Sequence, residues 1–175
     1  MKLADMIRTI PNYPKPGIMF RDVTTLMGNR LAFEQAVDEM AEPWRESMID
    51  LVIGIEARGF ILGGALAVAL KAGFVPVRKP GKLPFETIRE DYELEYGSDE
   101  LHMHVGAVDP GARVLIVDDL IATGGTALAT VSLARRSHAD VVGASFLVEL
   151  PELGGVARLR AANVQCKVLV AFEGH

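Results

Sequence analysis

Val114-Leu115-Ile116-Val117-Asp118-Asp119-Leu120-Ile121-Ala122-Thr123-Gly124-Gly125-Thr126 carries four apolar residues, two aspartates, and then adjacent glycines flanked by threonines. Such an apolar run suits a strand buried on both faces, which leaves the two carboxylates at its carboxyl end. Gly124 and Gly125 let the backbone turn tightly, with N–H groups facing outward as a helix starts. A helix N-terminus behind such a turn is a ready phosphate site. Acids for hydroxyls beside amides for a phosphate point to a ribose 5-phosphate. Two common nucleotide signatures are absent. No lysine follows the glycines, as a P-loop requires, and the glycines are not spaced as in the dinucleotide fingerprint. A plain helix entry needs one capping aspartate, whereas two adjacent carboxylates repel unless something binds between them.

Outward from this segment, the spacing predicts a helix from about Gly124 to Ser137, a strand over Val141 to Leu150 and another over Val164 to Val170. Upstream, Leu51 to Ile55 and Phe74 to Val77 read as short strands and Gly59 to Lys71 as a well-packed helix. Phe33, Ala36, Val37, Met40, Trp44 and Met48 keep a 3.6-residue period and predict one long helix. Leu3, Met6, Ile7 and Ile10 predict a short amphipathic helix stopping before Pro11, with a proline-rich loop over Pro11 to Gly17. Tyr92 to Tyr96 and Leu101 to Val105 bracket Gly97-Ser98-Asp99-Glu100, a hairpin signal. Strands alternating with helices predict an α/β fold, with a central parallel sheet flanked by helices and an inserted antiparallel hairpin. Ligands bind such sheets at the carboxyl ends of the strands, where Asp118 and Asp119 fall.

The 175 residues suit one domain with a sizeable core. Half are apolar, yet no uninterrupted apolar stretch of about 18 residues exists to span a membrane. Met1-Lys2-Leu3-Ala4-Asp5 lacks the cationic start and apolar stretch of a secretory signal, so a cytoplasmic location is expected. Cys166, the single cysteine, sits in an apolar run and reads as a buried, inert thiol of a reducing compartment. A formal charge of −5 argues against a dedicated nucleic-acid binder.

Three further constellations bear on chemistry. Leu51-Val52-Ile53-Gly54-Ile55-Glu56-Ala57-Arg58-Gly59-Phe60 is a second strand ending in a charged turn, which sets Arg58 on the same rim as Asp118; alone, it reads as a surface arginine paired with Glu56. From Arg78 to Arg89, four cations (Arg78, Lys79, Lys82, Arg89) stand against the single acid Glu86. Pro80, Gly81 and Pro84 prevent regular structure there, so an exposed mobile loop is expected, closing over a polyanion such as pyrophosphate. Glu93 and Glu95 share one strand face, and loop closure would bring one of them over the site as a general acid or base.

At this point the residues resemble the type I phosphoribosyltransferases, and within that family the members that use adenine. Val117-Asp118-Asp119 through Thr126 marks the family. The adenine branch is marked by Tyr13 to Asp22, Glu56-Ala57-Arg58-Gly59-Phe60, Val77 to Pro84, and Leu94-Glu95-Tyr96-Gly97, all in the family's order. The resemblance implies transfer of the phosphoribosyl group from 5-phosphoribosyl-1-pyrophosphate to adenine, giving AMP and pyrophosphate, with Mg²⁺ held mainly by substrate oxygens and water. It implies that Ala122, Thr123, Gly124, Gly125 and Thr126 hold the 5-phosphate and that Asp118 and Asp119 hold the ribose hydroxyls. Ala57 and Arg58, with Arg78, Lys79 and Lys82, take the pyrophosphate. Phe20 and Arg21 line the adenine pocket, read largely through main-chain groups. Glu95 exchanges a proton with the purine, with Arg58 and Lys82 also placed among the catalytic groups, and Tyr96 lies in the covering loop. The same resemblance implies one domain over 1–175, with a base-binding hood at 1–30, a mobile loop and hairpin at 78–105, and a homodimer.

Phe85, His102 and His104 depart from the family's pattern, at positions expected to affect rates or a subunit contact. The C-terminal end from Glu152 matches only loosely. Two alternatives keep the sugar-phosphate site: a 6-oxopurine (hypoxanthine, guanine or xanthine) as the base, or a non-catalytic regulator sensing the sugar pyrophosphate. The first needs a side-chain donor for the 6-oxo group, and none is evident. The second needs an added DNA-binding module, for which an acidic chain of this length has no room.

Overall fold

In the computed structural model, which describes residues 1–94 and 96–174, the run beginning at Val114 becomes the central strand of a five-stranded parallel sheet. Strands β1 (Arg8–Pro11) and β2 (Met19–Asp22) form a separate ribbon, followed by α1 (Thr24–Met27) and α2 (Arg30–Ala41). Then come β3 (Leu51–Ile55), α3 (Arg58–Ala69), β4 (Gly73–Val77), β5 (Thr87–Glu93) and β6 (Ser98–His104). The chain continues as β7 (Arg113–Ile121), α4 (Gly125–Arg136), β8 (Asp140–Glu149), α5 (Gly155–Ala161) and β9 (Cys166–Ala171). The sheet order is β4-β3-β7-β8-β9. No helix among the described residues is long and apolar enough to cross a membrane.

Alternation along β7 divides the core. Leu115 and Val117 pack with residues of α2 and α3 on one face of the sheet, including Met40, Leu62 and Leu66. Val114 and Ile116 pack on the other with α4, the hairpin strand β6 and α5, including Leu133, Met103 and Leu159. Both faces of β7 are therefore covered, which is why its sequence is continuously apolar before the aspartates. Burying a side chain of this size contributes roughly 1.5–3 kcal/mol, so β7 fixes the position of everything at its carboxyl end.

Several boundaries differ from those expected. The periodic residues Leu3 and Met6 make only one 3-10 turn (Leu3–Met6), because Ile7 leaves it in extended backbone and Ile10 lies in β1, paired with β2. Arg8 and Thr24 hold Asp22 at the end of that ribbon, and these hydrogen bonds, Thr24's the largest, lower its carboxyl to a pKa of about 2. The helix expected to reach Met48 stops at Ala41, followed by a 3-10 turn over Glu42–Trp44. Pro43 has no N–H for the next helical bond, and Met48 stands exposed at a φ of 54°. The hairpin is shifted: Glu93 pairs with Ser98, and Leu94 N–H donates to Gly97 O (3.0 Å), so Ser98, Asp99 and Glu100 are strand rather than turn. The irregular segment after Arg78 is correspondingly shorter, since β5 starts at Thr87.

The hairpin is attached to the sheet by Arg78 and His102, which exchange backbone hydrogen bonds of 3.0 and 2.7 Å. His102 also lies between Thr87 Oγ1 (2.7 Å) and Glu100 Oε1 (2.9 Å), while Phe85 rests edge-on against His104. Cys166 is half-buried, and burial pushes its thiol up to about 11.

Candidate active site

Beyond Val117 the strand runs further than its apolar run suggested. β7 continues through Asp118 and Asp119 to Ile121, so both carboxylates sit on regular backbone and are buried, at 8% and 5% exposure. Asp119 N–H donates to Asp118 Oδ1 (2.8 Å), and Arg58 Nε donates to Asp119 Oδ2 (2.5 Å). Burial first, then the neighbouring Asp119 charge, pushes the Asp118 carboxyl well above the usual carboxylate range. Gly59 permits this approach, because a Cβ there would stand 2.9 Å from Asp118 Oδ1. The Arg58 partner is thus Asp119 across the sheet, not the nearby Glu56.

After Ile121 the chain turns through Ala122 and Thr123 into Gly124, whose φ of 88° suits glycine, and then enters α4. Every carbonyl of this turn is taken: Gly155 N–H donates to Ala122 O (3.0 Å), Arg158 Nη1 to Thr123 O (2.7 Å) and Leu128 N–H to Gly124 O (2.8 Å). The amides of Thr123, Gly124, Gly125 and Thr126 meet no protein acceptor among the described residues. Unpaired amides at the positive end of α4 suit an anion.

Two cavities adjoin at Leu120. One, of about 310 Å³, is lined by the apolar Ile18, Met19, Phe20, Leu120 and Leu150 and by the charged Arg21, Glu56, Arg58, Asp118 and Asp119. The other, of about 660 Å³, is lined by Ala122 to Thr126 with Tyr92, Glu93, Leu94 and Arg158. Phe20 and Arg21 lie on β2, and the Arg21 guanidinium is turned to Thr9 Oγ1 (2.6 Å) and Glu173 O (3.3 Å), over the Phe172 ring.

The remaining basic residues lie apart from these cavities. Arg78 Nε lies 3.4 Å from Glu56 Oε1, an ion pair without hydrogen-bond geometry, with its guanidinium over the Phe60 ring. Lys79 donates its backbone N–H to Glu56 Oε1 (2.7 Å) and its ammonium to Tyr92 Oη and Asp99. Burial works against that ammonium, yet the hydrogen bonds it donates to Asp99 and Tyr92 raise its pKa overall. Lys82 and Tyr96 are exposed, and Ala57 precedes the first turn of α3. Glu95 lies outside the described residues. Leu150 and Arg158 carry no motif; their positions follow only from which elements end at this rim.

Residues 27–169 match the family described as the phosphoribosyl transferase domain. An adenine phosphoribosyltransferase of Bradyrhizobium is 60% identical over 175 residues, covering 100% of this chain and 98% of that protein. The crystal structure of adenine phosphoribosyltransferase from Rhodothermus marinus superposes with a TM-score of 0.92 at 51% identity, covering 97% of this chain and 96% of that one. The enzyme of Saccharomyces cerevisiae, solved with D-2,5-dideoxy-2,5-imino-altritol 1,6-bisphosphate and adenine, gives a TM-score of 0.89 at 39% identity, covering 95% and 96% of the two chains. The chain belongs to the phosphoribosyltransferase family, in its adenine phosphoribosyltransferase branch.

Proposed function

We propose that the two cavities meeting at Leu120 hold the two ends of one nucleotide, and that this chain forms AMP and pyrophosphate from adenine and 5-phosphoribosyl-1-pyrophosphate. The observation carrying this reading is the buried Asp118–Asp119 pair standing between an apolar pocket and a row of unpaired amides. The branch to which the chain belongs performs this purine-salvage reaction, and the yeast relative was solved with adenine and a bisphosphate together.

In this reading the amides of Thr123 to Thr126 grip the 5-phosphate, and Asp118 and Asp119 accept hydrogen bonds from the ribose hydroxyls. Adenine lies against Phe20 and Leu120, read by the main chain of β2, since the Arg21 side chain is engaged elsewhere. As the bond from the anomeric carbon to pyrophosphate breaks, positive charge grows on the sugar and negative charge on the leaving group. Arg58 and the Ala57 main chain, with Arg78, Lys79 and Lys82, stabilise the leaving group, and Glu95 takes the proton that the purine loses. The loop carrying Tyr96 excludes water from the sugar cation. Such acid–base help contributes roughly 10²–10⁴-fold.

Among the described residues no group of three or more His, Cys, Asp or Glu is arranged to hold a metal. Mg²⁺ fits here as a cation carried mainly by substrate oxygens and water, with the hard carboxylate oxygens of Asp118 and Asp119 beside it. When bound, it neutralises charge on the leaving pyrophosphate. The family resemblance further supports a homodimer and a cytoplasmic setting, checked by light scattering and by cell fractionation.

The test is direct. The protein is incubated with the sugar pyrophosphate, Mg²⁺ and adenine, hypoxanthine, guanine or xanthine in turn. AMP should form from adenine alone; nucleotide from a 6-oxopurine, or none from any base, overturns the reading. Glu95→Gln should lower kcat with little change in either KM.

A further inference from the structure

The glycine turn has no cation of its own, since no lysine follows Gly125. Neutral amides and the helix end supply only about half a positive charge, while a ribose 5-phosphate brings up to two negative ones. Glu93 lines the same cavity and adds a further negative charge. Glu90 and Asp91 line the neighbouring cavity of about 300 Å³, with Glu90 paired to Arg136 at 2.9 Å. Among the described residues lining the larger cavity, the one cationic side chain is Arg158.

Arg158 comes from α5, a segment with no recognisable motif. Gly155 N–H, bonded to Ala122 O at 3.0 Å, docks the start of α5 onto the turn. One helical turn later, Arg158 Nη1 donates to Thr123 O at 2.7 Å, which pins the guanidinium beside the amides. Its other N–H groups meet no protein acceptor, and no ion pair joins it to a carboxylate, among the described residues. An uncommitted guanidinium face, held still by one hydrogen bond, suits a phosphate oxygen.

We propose that Arg158 binds the 5-phosphate directly and supplies the positive charge that the glycine turn lacks. This rests on the proposed use of Ala122 to Thr126 as the phosphate loop. Arg158 takes no part in breaking the bond from the anomeric carbon to pyrophosphate, so its contribution falls on binding of phosphorylated ligands.

The experiment compares AMP and adenosine, ligands differing by the phosphate alone, in calorimetric titrations of the full chain and its Arg158→Gln and Arg158→Lys variants. Arg158→Gln should weaken AMP by about 10–100-fold, the range of a charge-assisted hydrogen bond, and adenosine by less than about threefold. Arg158→Lys should recover most of the AMP affinity. Equal losses for AMP and adenosine would show that Arg158 only braces the loop and would overturn the proposal. So would unchanged AMP affinity in Arg158→Gln, or a Lys variant binding AMP no better than the Gln variant. An unaltered protein that binds no AMP removes the phosphate-loop reading itself, whereas undiminished AMP binding by the Arg158→Gln variant removes only the role of Arg158.

Discussion

Gly155 opens α5 directly against the proposed phosphate loop, and a methyl group there has nowhere to go. A Cβ at this position would stand 2.5 Å from Ala122 O, 2.7 Å from Ile121 Cγ1 and 2.9 Å from Gly124 N. Ordinary contact begins at 3.4 Å, so the closest of these falls about 0.9 Å short. Two of the three atoms are backbone, so relief comes from moving α5 or the loop, and either motion breaks the Gly155–Ala122 hydrogen bond. Displacing the loop amides by about 1 Å costs on the order of 10²-fold in catalysis. Overpacking of this kind costs about 1–3 kcal/mol, which for a chain this size lowers Tm by roughly 3–10 °C. Gly155→Ala should therefore lower kcat/KM for the sugar pyrophosphate about 10²-fold, in a continuous assay of AMP formation. The KM for adenine should stay nearly unchanged, because the apolar cavity lies on the other side of Leu120. Gly64→Ala is the control: a Cβ there meets nothing within 4 Å, and a glycine removed from the interior of α3 should leave activity intact and raise stability by about 0.5–1 kcal/mol. Wild-type kcat/KM in Gly155→Ala, alongside a lowered Tm, would refute the idea that α5 sets the loop.

Three other perturbations follow from the charges. Asp118→Asn removes a carboxyl whose pKa is raised by burial and by Asp119, so its folded state binds a proton more tightly than the unfolded chain. Its ionisation therefore destabilises the fold increasingly above pH 3.8, its ordinary value, and Asn should raise Tm at pH 7 while cutting kcat/KM by about 10–100-fold; a lowered Tm contradicts this. Asp22 runs the other way: its lowered pKa adds stability above 3.8, lost as pH falls toward about 2. Asp22→Asn should flatten that acid limb in urea titrations between pH 6 and pH 2.5, and an unchanged slope rejects it. Asp99→Asn frees Lys79 and should lower the KM for the sugar pyrophosphate about two- to fivefold, with pyrophosphate inhibition tightened equally. A raised KM would mean that Asp99 holds Lys79 in place for the substrate.

How much of this was legible in the residues depends on how local the cause was. The run of β7 and the glycine turn were readable because burial on both faces and a positive φ at Gly124 each demand particular residue types. The parallel sheet followed from the alternation of strands and helices. The ribbon of β1 and β2 was not readable, since Leu3, Met6, Ile7 and Ile10 keep a helical period that tertiary pairing with β2 overrides after one turn. Ser98, Asp99 and Glu100 look like turn residues, yet Lys79, Tyr92, Arg89 and His102 hold them in a strand. Arg158 was invisible for a different reason: its relation to Thr123 spans 35 positions and exists only once β8 has carried the chain back to the same rim.

The same locality explains how the proposed pyrophosphate cations are kept. Arg58 is paired with Asp119, Arg78 with Glu56, and Lys79 with Asp99. Each pair joins a partly exposed cation to an acid on a neighbouring element; the Lys79–Asp99 pair, partly exposed on both sides, is worth only about 0–1 kcal/mol, whereas the Asp119 carboxylate is buried. In the proposed function, pyrophosphate binding exchanges the carboxylate partner of each of these cations for a phosphate oxygen. Arg158 differs from these three in having no carboxylate partner among the described residues, so in the proposed arrangement the 5-phosphate, which stays on the sugar throughout the reaction, is gripped without that competition. On this proposal the two ends of the substrate are held differently: the pyrophosphate by the exposed Lys82 and by three cations that have carboxylates to return to, the 5-phosphate by amides and a guanidinium that has no carboxylate partner among the described residues.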